Sequence, residues 1–158
     1  ISYKKLKILI HPKSYVHALL KFKDGMIKII AHDTNMIIPI YNSLPFEKNF
    51  ILKTNELDIK KLNSLNLKKV NYKKFPLVNI LTRLPKRDSL FETVVVATND
   101  EFVKLYLNNK IKFNDLANNI LKFINLPEFA KFKLIRPKID AIEKLNLYVR
   151  FKINNLSV

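Results

Sequence analysis

Early in the chain apolar positions alternate, and beyond Pro76 they recur at spacings of three and four, so the pattern predicts a sheet followed by helices. Leu6 to Ile10 alternates loosely and predicts a buried strand entering a turn at His11-Pro12. Residues 15–32 predict a hairpin, because Asp24-Gly25 supplies the positive φ angles of a type I′ turn. A two-residue loop at that point sets Lys23 against Met26, Phe22 against Ile27, Lys21 against Lys28, Leu20 against Ile29 and His17 against His32. In that register Val16, Ala18, Leu20, Phe22, Ile27, Ile29 and Ala31 share an apolar face. Leu19, Lys21, Lys23, Lys28, Ile30 and both histidines share a mixed one.

A short helix or turn is predicted around Met36 to Leu44. From Pro45 to Phe75 the chain is polar and basic, and Leu57, Ile59, Leu62, Leu65 and Leu67 give only weak periodicity, so this stretch is expected to be an extended arm with at most a helical turn. Helical spacing then takes over. Pro76 suits a first helical turn before Leu77, Ile80 and Leu81, and Pro85 stops the segment. Val95, Phe102, Leu105 and Tyr106 predict a second helix. Asn114 is the expected N-cap of a third, carrying Leu116, Ile120, Leu121 and Ile124 and ending near Pro127. Asp140 and Glu143 resemble a capping box before Leu145, Val149 and Ile153. Short connections between these amphipathic segments make a small helical bundle the economical arrangement. The fold class is α+β: a hairpin-containing sheet, a linker and a small α-helical bundle.

Composition narrows the class. A chain of 158 residues with 48% hydrophobic residues buries a real core, enough for one domain or one and a half, despite a net charge of +16. No apolar run reaches the roughly 18 residues of a membrane span, and no signal peptide is recognisable near Ile1. Because the sequence starts at Ile1 rather than Met, a processed, truncated or engineered chain is expected. The absence of Cys excludes disulfides, thiolate metal sites and cysteine catalysis, and fits a cytoplasmic protein. Lys supplies nearly all the positive charge, the Arg residues being Arg83, Arg87, Arg136 and Arg150. Nucleic-acid readers favour the planar fork of Arg, so a solvated basic surface is the better account than a nucleic-acid footprint. The run Leu67 to Phe75 interleaves Lys with aromatics as single-strand binders do, but it lacks the glycine-rich signature of an RNA recognition motif.

Candidate chemistry is sparse. His17 and His32, opposed across the hairpin, could share a metal, but a third ligand is missing unless Asp33 supplies it, so two sheet histidines are expected and no metal site. Ser14 follows a Pro-bearing turn at a strand end, where loops present side chains to ligands. Without a Gly-x-Ser-x-Gly elbow it is no serine nucleophile, and a turn serine bonding its own backbone is the plain alternative. Gly25 is the single glycine and is spent on the hairpin, so no glycine loop for a nicotinamide cofactor exists here.

The order of Ile10-His11-Pro12-Lys13-Ser14 with His17, then Asp24-Gly25, then Asn35-Met36 with Pro39-Ile40 resembles the 1-deoxy-D-xylulose 5-phosphate reductoisomerase family, whose pattern runs I-H-P-Q-S-x-x-H, D-G-S, D-M-x-x-P-I. Val95-Val96-Ala97-Thr98-Asn99-Asp100 is partly similar to a second family segment, L-N-A-A-N-E, and Phe75-Pro76-Leu77 matches a helix start after a linker. Lys13 stands for Gln, Met26 for Ser and Asn35 for Asp, and no Trp lies near Pro45.

The resemblance implies the carboxy-terminal half of an NADPH-dependent oxidoreductase of non-mevalonate isoprenoid biosynthesis. That enzyme rearranges and reduces 1-deoxy-D-xylulose 5-phosphate to 2-C-methyl-D-erythritol 4-phosphate with a divalent metal, Mg or Mn. Residues 1–44 would then end the catalytic and dimerising domain, 45–75 form a linker arm and 76–158 a helical domain. The resemblance places Ser14 and Met36 beside the sugar-phosphate substrate and allows a catalytic role for His17. Cofactor and metal ligands would lie in upstream segments, so the chain alone is expected to be inactive and to bind neither, and to form a homodimer within the complete enzyme. Asn99 would be a structural residue holding a buried hydrogen bond. The alternatives are a Lys-rich module binding nucleic acid or an acidic partner, and a catalytically inactive relative.

Overall fold

Strand β1 (Leu9–Ile10) is cut short at His11-Pro12, and after the turn β2 (Val16–Lys21) and β3 (Ile27–Ala31) pair antiparallel. These elements come from a computed structural model that describes residues 3–45 and 51–156 and divides the chain into two compact units, one from Ile8 to Val70 and one holding the rest. The hairpin forms where expected, but its register differs. Lys21 faces Ile27, Leu20 faces Lys28, Leu19 faces Ile29 and Ala18 faces Ile30. The cause is the loop. Phe22 N donates to Met26 O (2.9 Å) and Gly25 N to Phe22 O (3.2 Å), so Lys23, Asp24 and Gly25 all lie in the turn. Asp24 Oδ1 accepts from Met26 N at 3.0 Å, and Gly25 alone takes a positive φ, +91°. That is a type I turn closed by a left-handed glycine, not the two-residue type I′ turn.

The shift redistributes the faces. Lys28 joins Leu20 and Phe22, with its Nζ 5.5 Å from the Phe22 ring centroid, while Leu19, Lys21, Ile27 and Ile29 occupy the other side. Leu19 and Ile30 therefore lie on opposite faces, and neither face is wholly apolar. Leu19, Leu20, Phe22, Ile27, Ile29 and Ile30 are all exposed in this unit. A bulge between Val16 and Ala18 leaves His17 without a ladder partner and sets His32 opposite Tyr15, whose carbonyl accepts from His32 N at 3.1 Å, while the rings of His17 and His32 stack.

Helix α1 (Ile37–Ser43) starts where Asn35 Oδ1 accepts from Ile37 N at 3.0 Å, with Pro39 in its first turn. In the polar stretch that follows, residues 46–50 lie outside the described residues. Helix α2 (Ile59–Asn63) is capped by Asp58, which accepts from Lys61 N at 2.9 Å. Strand β4 (Lys68–Lys69) pairs antiparallel with β1, Leu9 opposite Lys69 and Ile10 opposite Lys68. The strand expected from Leu6 is thus confined to Leu9–Ile10, and Tyr3–Lys5 form a 3-10 turn of the other unit.

In that second unit Pro76 opens a 3-10 turn leading into α3 (Ile80–Arg83), and Leu84, forced extended by Pro85, ends it. Helix α4 (Phe91–Leu107) packs against both α5 (Phe113–Ile124) and α6 (Ile139–Asn154). A 3-10 stretch, Pro127–Leu134, places Phe129 fully inside, its ring 5.2 Å from that of Phe123. Val94, Ala97, Ile120, Leu145, Val149 and Ile153 belong to the same core. Asn114 is not a cap. It sits inside α5, which starts at Phe113, whose ring meets Tyr106 edge-on. Asp140 likewise lies within the first turn of α6, where its charge suits the helix dipole. Asn99 is exposed, which corrects its expected buried role; Thr98 and Glu101 point inward instead. Among the described residues no helix is long and apolar enough to cross a membrane.

Glu101 is the buried charge that joins α4 to α6. Its carboxylate accepts from Arg150 (3.1 Å) and Asn154 (3.0 Å) and pairs with Lys104 (3.3 Å). Burial pushes its pKa up, but the hydrogen bonds from Asn154, Lys104 and Arg150 outweigh that and hold it below the ordinary value. A lowered carboxyl stabilises the fold fully above its unfolded pKa, and that stabilisation disappears as pH falls through the folded value. Glu101→Gln should therefore cost about 1–3 kcal/mol at neutral pH and flatten the acid-side loss of stability. Urea melts followed by helical circular dichroism at neutral and acidic pH check this. A variant as stable as the parent at neutral pH would show the network to be inconsequential.

Candidate functional site

The chemistry-bearing residues of the Ile8–Val70 unit gather at the open end of the hairpin. The organising residue there is His11, buried at 7% exposure. Its ring Nδ1 accepts from Tyr15 N (3.0 Å) and Val16 N (3.4 Å), so the proton is on Nε2, which donates to Ser64 O at 3.1 Å. Ser14 N donates to His11 O at 2.9 Å, closing a turn with Pro12 inside it. Ser14 leaves that turn at φ +50°, a left-handed conformation that a serine adopts at some cost. Its side chain is exposed. Strain of this kind, held by a clamped turn, fixes the direction in which the Ser14 side chain leaves the backbone.

Three residues on, the bulge carries His17. Its ring stacks on His32 with centroids 3.6 Å apart and planes 2° from parallel, and His17 Nε2–H donates to His32 O at 3.3 Å. Parallel planes point the nitrogen lone pairs side by side rather than toward a common point, which is poor geometry for a shared metal. Asp33, the possible third ligand, is committed elsewhere. Its carboxylate accepts from Asn55 Nδ2 (2.9 Å) and Lys61 Nζ (3.4 Å). The hydrogen bond to Asp33 raises the Lys61 pKa, which keeps that ammonium charged. Among the described residues no group of three His, Cys, Asp or Glu could hold a metal ion.

Met36 follows β3 immediately before α1 and is 59% exposed, free to move its thioether. Ser14, His17 and Met36 thus come from the turn, the bulge and the strand-to-helix connection of one unit. His11, Lys61 and Asn55 were not foreseen as site-builders. The signal for His11 was a His directly before Pro at a strand end, where the extended backbone lets the ring reach amides four and five residues on.

Comparison with known proteins bears on this arrangement. Residues 32–151 match the DXP reductoisomerase C-terminal domain family. The chain is 55% identical to the 1-deoxy-D-xylulose 5-phosphate reductoisomerase of Pelagibacter ubique, aligned over 100% of this chain and 41% of that protein. It is 30% identical to the Sulfurihydrogenibium enzyme of the same name over 91% of this chain and 38% of that one. The chain therefore spans about two fifths of the length of these relatives. Among solved structures, the Zymomonas mobilis reductoisomerase in complex with NADPH superposes with a TM-score of 0.72 at 24% identity, over 97% of this chain and 39% of that one. A DOX-P reductoisomerase with NADPH, fosmidomycin and magnesium superposes at 0.74, with 21% identity over 92% and 37%. These likenesses show a shared fold of sheet segment and helical bundle. With a family match over most of its residues, the chain belongs to the 1-deoxy-D-xylulose 5-phosphate reductoisomerase family.

Proposed function

We propose that this chain is the carboxy-terminal part of an active reductoisomerase, converting 1-deoxy-D-xylulose 5-phosphate to 2-C-methyl-D-erythritol 4-phosphate in non-mevalonate isoprenoid biosynthesis. The observation that carries this reading is 55% identity along the whole chain to a reductoisomerase. In this reading Ser14 offers its hydroxyl to the sugar phosphate and Met36 forms an adaptable rim over it. His17, whose Nε2 proton is already engaged, presents Nδ1 as an acceptor beside them. The division follows: residues 1–44 end the catalytic domain, 45–75 form a connecting arm and 76–158 a helical domain. The self-contained core of α3 to α6 supports the last of these, while α2 and β4 of the arm pack with the hairpin unit.

NADPH and a divalent metal, bound in solved reductoisomerase structures, do not fit the residues described here. The single glycine is at the hairpin tip, and no metal-binding cluster occurs among the described residues. Both groups would be held by other segments of the longer protein, acting in the cytoplasm, as the cysteine-free composition suits. This chain alone is expected to give no saturable quenching on NADPH titration and no turnover; either signal would place the cofactor site within it.

The kinetic test uses the full-length protein. Met36→Ala and Ser14→Ala should each lower kcat/KM for the sugar phosphate, on the order of tenfold, with unchanged KM for NADPH. Ser14→Gly should lose the same activity while melting no lower than the parent, because glycine relieves the left-handed backbone. Full activity in Ser14→Gly and Met36→Ala would remove both residues from the pocket.

We also infer a homodimer built on the hairpin. A two-stranded ribbon with apolar residues on both faces is marginal alone and needs covering. One face would be covered within the subunit and the other by a second copy. In sedimentation of the full-length protein, either Leu19→Glu or Ile30→Glu, one on each face, should shift a dimer toward monomer. An unchanged dimer with both variants would put the interface elsewhere.

A further inference from the structure

We infer that His32 is a positioning residue for His17, setting both the plane and the tautomer of that imidazole. The inference rests on the placement of His17 at the site proposed above. Two contacts carry it. The His32 ring lies flat against His17, at 3.6 Å and 2°, which restricts rotation of the His17 ring. The His32 carbonyl accepts from His17 Nε2 at 3.3 Å, which puts the proton on that nitrogen and leaves Nδ1 with its lone pair.

His32 is itself held from behind. Its Nδ1–H donates to Asp33 O, fixing its own ring, and its N–H donates to Tyr15 O at 3.1 Å, fixing its backbone. Asp33 is in turn pinned by Asn55 and Lys61, and Lys61 Nζ also lies 3.6 Å from Asp58 Oδ2 and 5.6 Å from the Tyr15 ring centroid. The restraint therefore passes from an ion pair, through two successive backbone carbonyls and a stacked ring, to the imidazole placed at the proposed site. His17 is the extra residue of the bulge and has no ladder partner, so its side chain is held by the stack and by the bond to the His32 carbonyl. A second imidazole is suited to this task because it offers a flat face without the bulk of a larger ring.

The test is a mutant cycle in the full-length protein, reading kcat, both KM values and melting temperature for His17→Ala, His32→Ala, His32→Phe and the double alanine variant. His32→Ala should lower kcat on the order of tenfold, with KM for NADPH and melting temperature unchanged. His32→Phe should recover most of the loss, because the stack and the backbone carbonyl both survive. In the His17→Ala background, His32→Ala should have no further effect. An impaired His17→Ala with a fully active His32→Ala overturns this inference alone. So does an equal loss from His32→Ala with or without His17, or a phenylalanine variant as slow as the alanine one. A fully active His17→Ala overturns the placement of His17 itself, and this inference with it.

Discussion

One buried imidazole fixes the geometry on which the sheet unit depends. His11 makes every hydrogen bond its ring allows: it takes the amides of Tyr15 and Val16 on one nitrogen and gives a proton to the Ser64 carbonyl from the other. The first pair holds the tight turn, and through it the left-handed backbone of Ser14. The bond to Ser64 ties that turn to the segment between α2 and β4, far along the chain. Replacing such a ring leaves buried amides and a carbonyl unpaired, each more costly than the bond was worth. β1 contributes only two residues of ladder, so backbone pairing alone would not hold this corner.

The two units meet the demand for burial differently. In the helical unit α4 is surrounded by α5, α6 and the 3-10 stretch around Phe129, and the charge of Glu101 is enclosed with its partners. That unit carries its own core. The hairpin unit has few buried apolar residues, Tyr15 and Val70 among them, and spreads the rest over two exposed faces. A strand pair that hydrophobic is stable when further sheet or helix lies against it. Its polar groups, by contrast, are heavily satisfied around His11, His32 and Asp33. Local polar networks order the turn and the bulge, while the apolar faces lie exposed.

Element types were legible in the sequence wherever periodicity and proline agreed, as at Pro76, Pro85 and Pro127. Finer geometry was decided by competition between local options. Asp24-Gly25 announces a hairpin, but the Asp24 carboxylate prefers to bond the Met26 amide, which lengthens the loop and shifts the register. Along α4, Asn99 looked like the inward amide because Val95 and Phe102 flank it at helical spacing. One residue is about 100° of helix rotation, enough to put Thr98 inside and Asn99 in solvent. The expected ladder pairing of His17 with His32 was not met: a bulge that no local pattern announces leaves His17 without a ladder partner, and the two histidines meet through stacked rings and one hydrogen bond instead. Ser14 and Met36 could be singled out by their strand-end positions. The clamp of Lys61 and Asn55 on Asp33 could not, since it joins residues whose proximity only the fold creates.

The departures from the family pattern can be judged by what each position does. Asn35 stands where the family carries Asp, and its function is to accept the Ile37 amide at the start of α1, which an amide oxygen does as a carboxylate would. Lys13 replaces Gln inside the His11 to Ser14 turn, where its side chain is exposed and the turn bonds are all made by backbone and His11. Met26 replaces Ser just after Gly25, and the polar contact there is between its backbone amide and Asp24, which survives any side chain. None of these exchanges removes a donor or acceptor that holds the site. His11, Ser14 and His17 match the family pattern, and in this chain the His11 ring holds the turn from which the left-handed Ser14 emerges.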